Sequence, residues 1–256
     1  MIKIGVVGAT GRTGRFVVET VVSRADLELC AALVSPQSKF LGGLIPGTGS
    51  SFTDDINSLA IADVVIDFST PETSLRVAEF CGAMQIPVLV ATTGHSSDQL
   101  SKLSLLGSRV AVGLTPNTSV GAAALTTLAS RAKELLGSSF DIEVLDIHHR
   151  MKRDAPSGTA KAVIAPLAED SDVVFGREGL RSHGEVGVVA LRGGDVVGDH
   201  TVYFLGDGER IEITHRVSTR AVFGNGAVSL ALKLIGVAPG LYSARDLIAR
   251  TSSSQA

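Results

Sequence analysis

Tryptophan is absent from this 256-residue chain, aromatic residues make up 4% of it, and there are only two cysteines. Cys30 and Cys81 stand in apolar surroundings without CxxC or Cys/His spacing. That excludes a disulfide scaffold and argues against a zinc site, and it suits a reducing cytoplasm. Net charge is scarce as well: 23 Lys and Arg against 26 Asp and Glu leave −3. A nucleic-acid binder carries a basic excess, so that class is excluded. No uninterrupted apolar run is long enough to cross a bilayer. The opening "MIKIGVVGATG" enters a strand-like run directly, with no basic segment or cleavage site. The expectation is a cytoplasmic globular protein with neither a membrane nor a nucleic-acid partner.

Hydrophobic residues are plentiful at 45%, enough for one large or two modest domains. "IKIGVVG" is a β-branched run ending on glycine, as a buried parallel strand does. A helical segment near Arg12–Ser23 follows, then the strand "LELCAALV". The alternation continues through "ADVVIDF", a helix from Pro71 to Met84, "PVLVATTG", a helix from Ser97 to Leu106, and "RVAVGL". Such alternation predicts right-handed crossovers and a doubly wound parallel sheet. The glycine-rich loop from Pro36 to Ser51 interrupts it.

After Asn117 the pattern changes. A helix from Ser119 to Leu136 leads to "FDIEVLDIHH", and another helix opens near Pro156. Strand-like runs then stand at "EVGVVALR", "HTVYFLG" and "RIEITHRV". "GGD" and "GDGE" separate them and read as hairpin turns. The fold class expected is α/β: a Rossmann-like doubly wound sheet plus a smaller α+β domain with a mainly antiparallel or mixed sheet. The expected domains are residues 1–118 with 218–256, and residues 119–217. The apolar helix in "NGAVSLALKLI" is expected to rejoin the first domain, and "TSSSQA" to fray.

"VVGATGRTG" carries Gly8, Gly11 and Gly14, a GxxGxxG variant with Thr10 where the usual fingerprint has glycine. Glycines let a backbone approach a diphosphate, and the following helix aims its first N–H groups at the charge. Glycines also end strands for steric reasons alone, but the position after the first strand of a βαβ series favours a dinucleotide. Arg12 either reaches a phosphate, lies against adenine, or is simply solvated at the helix start. An NAD site wants an acid after the second strand. Leu33-Val34-Ser35 supplies none, whereas Ser35, Ser38 and Lys39, with Arg12, suit a 2′-phosphate. The reading leans to NADPH and keeps NADH open.

"DIHHRMKRDAPSGTA", Asp146 to Ala160, is the densest cationic passage. His148 and His149 are adjacent, so on a strand they face opposite ways, which is poor geometry for a metal; no metal is expected. Either histidine taken alone reads as a hydrogen-bonded core residue. Arg150, Lys152 and Arg153 follow, Asp154 is expected as an N-cap, and Pro156 as an early helix residue. Cations converging on a helix start, with Ser157, Gly158 and Thr159 in its first turn, make a site for carboxylates.

The passage "HHRMKRDAPSGTA" closely resembles the signature of the dihydrodipicolinate reductase family of lysine and diaminopimelate synthesis. The likeness extends through "VVGATGRTGR", "VIDFSTPE", "ATTG", "PNTSVG", "GDVVGDHTVYF", "ERIEITHR" and "FGNGAV". It implies an NAD(P)H-dependent reduction of 4-hydroxy-tetrahydrodipicolinate, with hydride delivered to C4 and protonation by Lys152 and His148. It further implies that His149, Gly158 and Thr159 bind the dicarboxylate substrate. Cofactor contacts would come from Gly8, Ala9, Thr10, Gly11, Arg12 and Thr13, from Ala91, Thr92 and Thr93, and from Thr115, Pro116, Asn117 and Thr118. The first domain would then hold the dinucleotide; the second would bind substrate and build a homotetramer. Closure about hinges near Asn117 and Val217 is expected, with the nicotinamide meeting substrate between the domains.

Three positions depart from the family pattern. Met151 replaces a commoner polar residue, Val34-Ser35 an acid–base pair, and Ala91 a glycine, which is tolerable where φ is negative. Two rivals are weighed. A non-catalytic NADP(H) sensor resembles the glycine loop but has little use for the anion site, and no Tyr-x-x-x-Lys is present. A semialdehyde dehydrogenase needs an activated thiolate, and neither cysteine looks activated.

Overall fold

The computed structural model describes residues 1–168 and 172–250; the expected fraying of "TSSSQA" lies outside them. The chain divides into two compact units, Met1–Val120 with Arg220–Ala256, and Gly121–Thr219.

The first unit contains a six-stranded sheet in the order β11-β5-β4-β3-β1-β2. Its strands are β1 (Ile2–Val7), β2 (Leu27–Leu33), β3 (Val64–Asp67), β4 (Val88–Val90), β5 (Ala111–Leu114) and β11 (Gly240–Tyr242). Every pairing is parallel. Val64, Val65, Ile66, Val88, Leu89 and Val90 are wholly buried, as expected of strands covered on both faces. The strand order reverses between β1 and β3, which makes their C-terminal ends the switch point where such sheets bind ligands.

The helices are α1 (Gly14–Val22), α2 (Pro71–Met84), α3 (Ser97–Leu106), α6 (Ala221–Leu232) and α7 (Ala244–Ala249). Their starts follow local chemistry. Thr70 caps α2 just before Pro71, and Ser96 with Gln99 forms a capping box on α3. The helix α6 packs on α1, where a Cβ at Gly224 would run into the Phe16 backbone. The segment 36–51 contains no regular element beyond a bridge between Leu44 and Ser51.

The second unit is built on α4 (Val120–Leu136), β6 (Asp141–His148), α5 (Gly158–Leu167), β7 (Val173–Phe175), β8 (Val186–Arg192), β9 (Gly198–Gly206) and β10 (Glu209–Val217). Its sheet order is β10-β9-β6-β8-β7. The pairs β6/β9 and β9/β10 are antiparallel, whereas β6/β8 and β7/β8 are parallel. The sheet is therefore mixed. "GDGE" does close a hairpin between β9 and β10. "GGD" does not, because β6 lies between β8 and β9 and supplies the pairing partner of each. Leu125, Ala129, Val163, Ile164 and Leu167 of the helices cover Ile142, Val144, Val186, Val202 and Phe204 of the sheet.

Candidate functional site

Along β6 burial alternates, so Ile142, Val144, Asp146 and His148 all point inward. Register aligns Phe204, Val202 and His200 of β9 with the first three, and Val186, Val188, Ala190 and Arg192 of β8 with all four. On β10, His215 lies opposite His200. The inner face thus begins as two apolar rows and ends as a polar one, an arrangement fixed by the pleat.

Asp146 is the centre of that polar end. Its Oδ1 lies 2.8 Å from His148 Nδ1 and 3.4 Å from His200 Nε2. Its Oδ2 accepts the Ser157 N–H at 2.8 Å and stands 3.1 Å from Arg192 Nη2. Burial alone would raise the Asp146 carboxyl. The contacts of His148, His200, the Ser157 N–H and Arg192 outweigh it and hold the group well below the usual carboxylate range. The His148 and His200 rings meet edge to face at 5.2 Å, and His215 stacks on His200. Burial, then the neighbouring His200, depresses the pKa of His215.

Beyond His148 the chain leaves the strand. His149 N–H donates to Val196, and Lys152 N–H donates back to His149. Lys152 Nζ lies 2.9 Å from Asp154 Oδ1, while the Asp154 carbonyl accepts from Arg192 at 2.7 Å. A continuous polar path therefore runs Lys152–Asp154–Arg192–Asp146–His148.

The N-cap of α5 is Ser157, whose hydroxyl accepts from Ala160 N–H. The expectation of Asp154 as cap is corrected: it stands too far before the helix and pairs with Lys152 instead. Pro156, expected as an early helix residue, precedes the cap. Gly158 is the first residue of α5, and a Cβ there would meet nothing within 4 Å. Packing does not demand glycine at that point. Thr159 follows it in the first turn, partly buried.

In the first unit, Gly8 has φ +73°, and a Cβ on it would run into the Phe68 carbonyl. A Cβ on Gly14 would strike the Gly8 carbonyl. The loop is folded tightly on itself, and Gly11 N–H donates to Gly8 O. The N–H groups of Arg12 and Thr13 donate to no acceptor among the described residues, and Arg12 is exposed. An open pair of N–H donors at the start of α1 fits a diphosphate. Ala9 is buried and tied through its N–H to Leu33, and Thr10 is half-buried.

Other expected cofactor residues have committed side chains. Thr92 is buried and donates to Asp67 Oδ2 at 2.7 Å. Thr115 donates to the Asn117 carbonyl, and Thr118 to that of Phe223. Asn117 Oδ1 accepts the Ser119 N–H. These residues shape their loops, while Thr93 and Pro116 are exposed. Ala91 is buried and its φ is not positive, so the missing glycine costs nothing there. Beyond β2, Ser35 donates to Gln37, Ser38 accepts from Phe40 N–H, and exposed Lys39 lies over the Phe40 ring.

Asp146, His148 and His200 lie close enough together to share a metal ion, within 4.8 Å. Both oxygens of Asp146 already face donors, one of them the Arg192 cation, so the cluster is poorly suited to a dication. Burial pushes the Cys30 thiol up to about 11 and the Cys81 thiol up to about 12, which leaves neither as a ready nucleophile. Sequence reasoning singled out His148 and passed over Asp146, Arg192 and His200. For Asp146 the signal was present: it stands two residues before His148 on a strand, hence on the same face.

The family model for the N-terminus of dihydrodipicolinate reductase matches residues 2–118, and that for its C-terminus matches residues 121–248. The chain is 41% identical to a 4-hydroxy-tetrahydrodipicolinate reductase of Syntrophotalea carbinolica, over 97% of this chain and 99% of the relative. It is 40% identical to one of Hahella chejuensis over the same shares of 97% and 99%. Among solved structures, a dipicolinate-bound dihydrodipicolinate reductase from Paenisporosarcina sp. TG-14 superposes with TM-score 0.79 at 24% identity, covering 95% of this chain and 97% of that one. The chain belongs to the dihydrodipicolinate reductase family.

Proposed function

We propose that this protein reduces 4-hydroxy-tetrahydrodipicolinate to tetrahydrodipicolinate in lysine and diaminopimelate biosynthesis. The 4-hydroxyl leaves as water to give a conjugated ring, and a bound nicotinamide would supply the hydride that C4 then takes up. The protein binds the doubly negative substrate, keeps it oriented and delivers the proton that reduction requires. In this reading the first unit, by its glycine loop, holds the dinucleotide, and the second binds substrate.

One observation carries the reading: a buried, charged cluster joins His148 to the Lys152 turn and to the start of α5. Lys152 is the proton donor, and His148 receives or donates a proton beside it. His149, Gly158 and Thr159 hold the carboxylates. The room left by Gly158 at an open helix start is what a carboxylate needs for close approach to N–H groups. No acid follows β2, and Ser35, Ser38 and Lys39 are there to meet a 2′-phosphate; this supports a preference for NADPH over NADH. No helix of the described residues is long and apolar enough to cross a membrane, and free cysteines suit the cytoplasm. The outer face of the second sheet exposes Val189, Leu191 and Leu205, which supports a homotetramer assembled through sheets.

The regulatory alternative finds no support among the relatives named above, which are reductases. The test is oxidation of NADPH and of NADH that depends on freshly generated 4-hydroxy-tetrahydrodipicolinate. Turnover with a higher kcat/KM for NADPH is the expected result. Substrate-independent oxidation, or none, overturns the assignment.

A further inference from the structure

Asp146 has no role in the reaction as described, yet the polar groups at the inner end of the second sheet converge on it. It is wholly buried, and its two oxygens divide between two tasks. Oδ1 faces the histidines, at 2.8 Å from His148 Nδ1 and 3.4 Å from His200 Nε2. Oδ2 faces the Ser157 N–H at 2.8 Å and Arg192 Nη2 at 3.1 Å. The charged and titratable groups around it are His148 on its own strand, Arg192 from β8, and His200 from β9 with His215 of β10 stacked behind. From the start of α5 come the N–H of Ser157, on Asp146, and its hydroxyl, 3.1 Å from His200 Nε2.

A carboxylate beside a guanidinium stays ionised, and an ionised carboxylate only accepts hydrogen bonds. His148 Nδ1 stands at contact distance from Oδ1 without hydrogen-bond alignment. Two bare acceptors that close repel each other, so the ring nitrogen facing the carboxylate carries the hydrogen. In neutral His148 that leaves Nε2 as the bare nitrogen. The structure makes room for it: a Cβ on Gly198 would sit 2.9 Å from Nε2, so any larger residue there would press on the ring.

We propose that Asp146 is a positioning residue with two functions. It fixes His148 as the Nδ1–H tautomer, so that Nε2 is the nitrogen that exchanges protons. It also anchors the start of α5, where Gly158 and Thr159 stand, to the strand that carries His148. The kinetic consequence rests on the reductase reading; the tautomer does not.

Full-length protein labelled with 15N-histidine tests the first function directly, with His148 signals assigned by their loss in His148→Gln. Wild type is expected to show a protonated Nδ1 and a bare Nε2 in the neutral ring. Asp146→Asn, which removes the charge at nearly constant shape, is expected to mix the tautomers and lower kcat by about 10- to 100-fold without changing cofactor affinity. Asp146→Glu keeps the charge and should recover part of the loss. A wild-type His148 protonated at Nε2, or an Asp146→Asn enzyme with undiminished kcat, overturns the proposal. Should Asp146→Asn not fold, the wild-type spectrum alone decides. Wild-type protein with the expected tautomer but no substrate-dependent NADPH oxidation would sink the reductase reading and leave the assignment of Asp146 as anchor standing.

Discussion

Asp67 and Asp146 are both wholly buried toward the C-terminal end of a central strand, one in each unit, yet their ionisation is pushed in opposite directions. Asp67 accepts from Ser69 N–H, from the Ser69 hydroxyl at 2.5 Å and from Thr92 at 2.7 Å. All these donors are neutral. Burial wins over them and the pKa rises. Asp146, equally hidden from solvent but less deeply packed, has two imidazoles, the Ser157 N–H and a guanidinium beside it, and its pKa falls. Two hydroxyls and an N–H hold the Asp67 carboxylate in place without offsetting its desolvation, whereas two imidazoles, a backbone N–H and a guanidinium together favour the charge on Asp146. In the first unit the aspartate fastens two loops together. In the second it anchors a charged path that ends at Lys152.

If proton chemistry belongs to the second cluster and nucleotide binding to the first unit, Lys152→Ala should show the widest separation. Turnover is expected to fall by about 10²- to 10⁴-fold, with NADPH affinity, measured by fluorescence titration, left intact. Parallel losses in both would erase the division. The two aspartates can be set against each other by urea denaturation of their asparagine variants. Asp146→Asn leaves Arg192 beside an uncharged partner and should cost about 3 kcal/mol. Asp67→Asn strands no cation and should cost about 1 kcal/mol. Equal costs would mean that Arg192 is irrelevant to stability.

The same variants should diverge with pH. For Asp146, the folded pKa lies below the unfolded value near 3.8. Its contribution is present above that pH and is lost as the pH falls toward the folded value. For Asp67, the folded pKa lies above 3.8, so its contribution is lost as the pH rises from there through the folded value. Wild type minus Asp146→Asn should therefore grow with rising pH, and wild type minus Asp67→Asn should shrink. Matching slopes would refute the contrast. The smallest effect on turnover is expected at Thr159. Thr159→Val should raise the apparent KM for the dicarboxylate about tenfold through one lost ground-state contact, and a fall in kcat alone would contradict that role.

Much of this was legible in the sequence because it is periodic or local. Apolar β-branched runs alternating with helical segments predicted the parallel sheet. The "HHRMKRDAPSGTA" passage disclosed its family by residue type and spacing. What escaped reading is contact across strands. "GGD" has the composition of a hairpin turn, but nothing within it says that β6 will come between β8 and β9. Arg192 and His200 lie 46 and 54 positions after Asp146, and only the register brings them to it. Capping failed more narrowly: Asp154 and Ser157 are both good cap residues, but the helix begins only at Gly158, directly after Ser157. The glycines also differ in kind. Gly8 and Gly14 are dictated by the loop's own packing, whereas Gly158 has open space around it, a distinction that spacing alone does not express.

Successive residues of β6 point to opposite sides of the sheet. Losing or gaining a single codon within that strand would turn Asp146 outward and bring an aliphatic side chain to face Arg192. Length in this stretch is consequently as constrained as composition. Tolerated insertions in this protein should gather in segments such as 36–51, and be missing between residues 141 and 148.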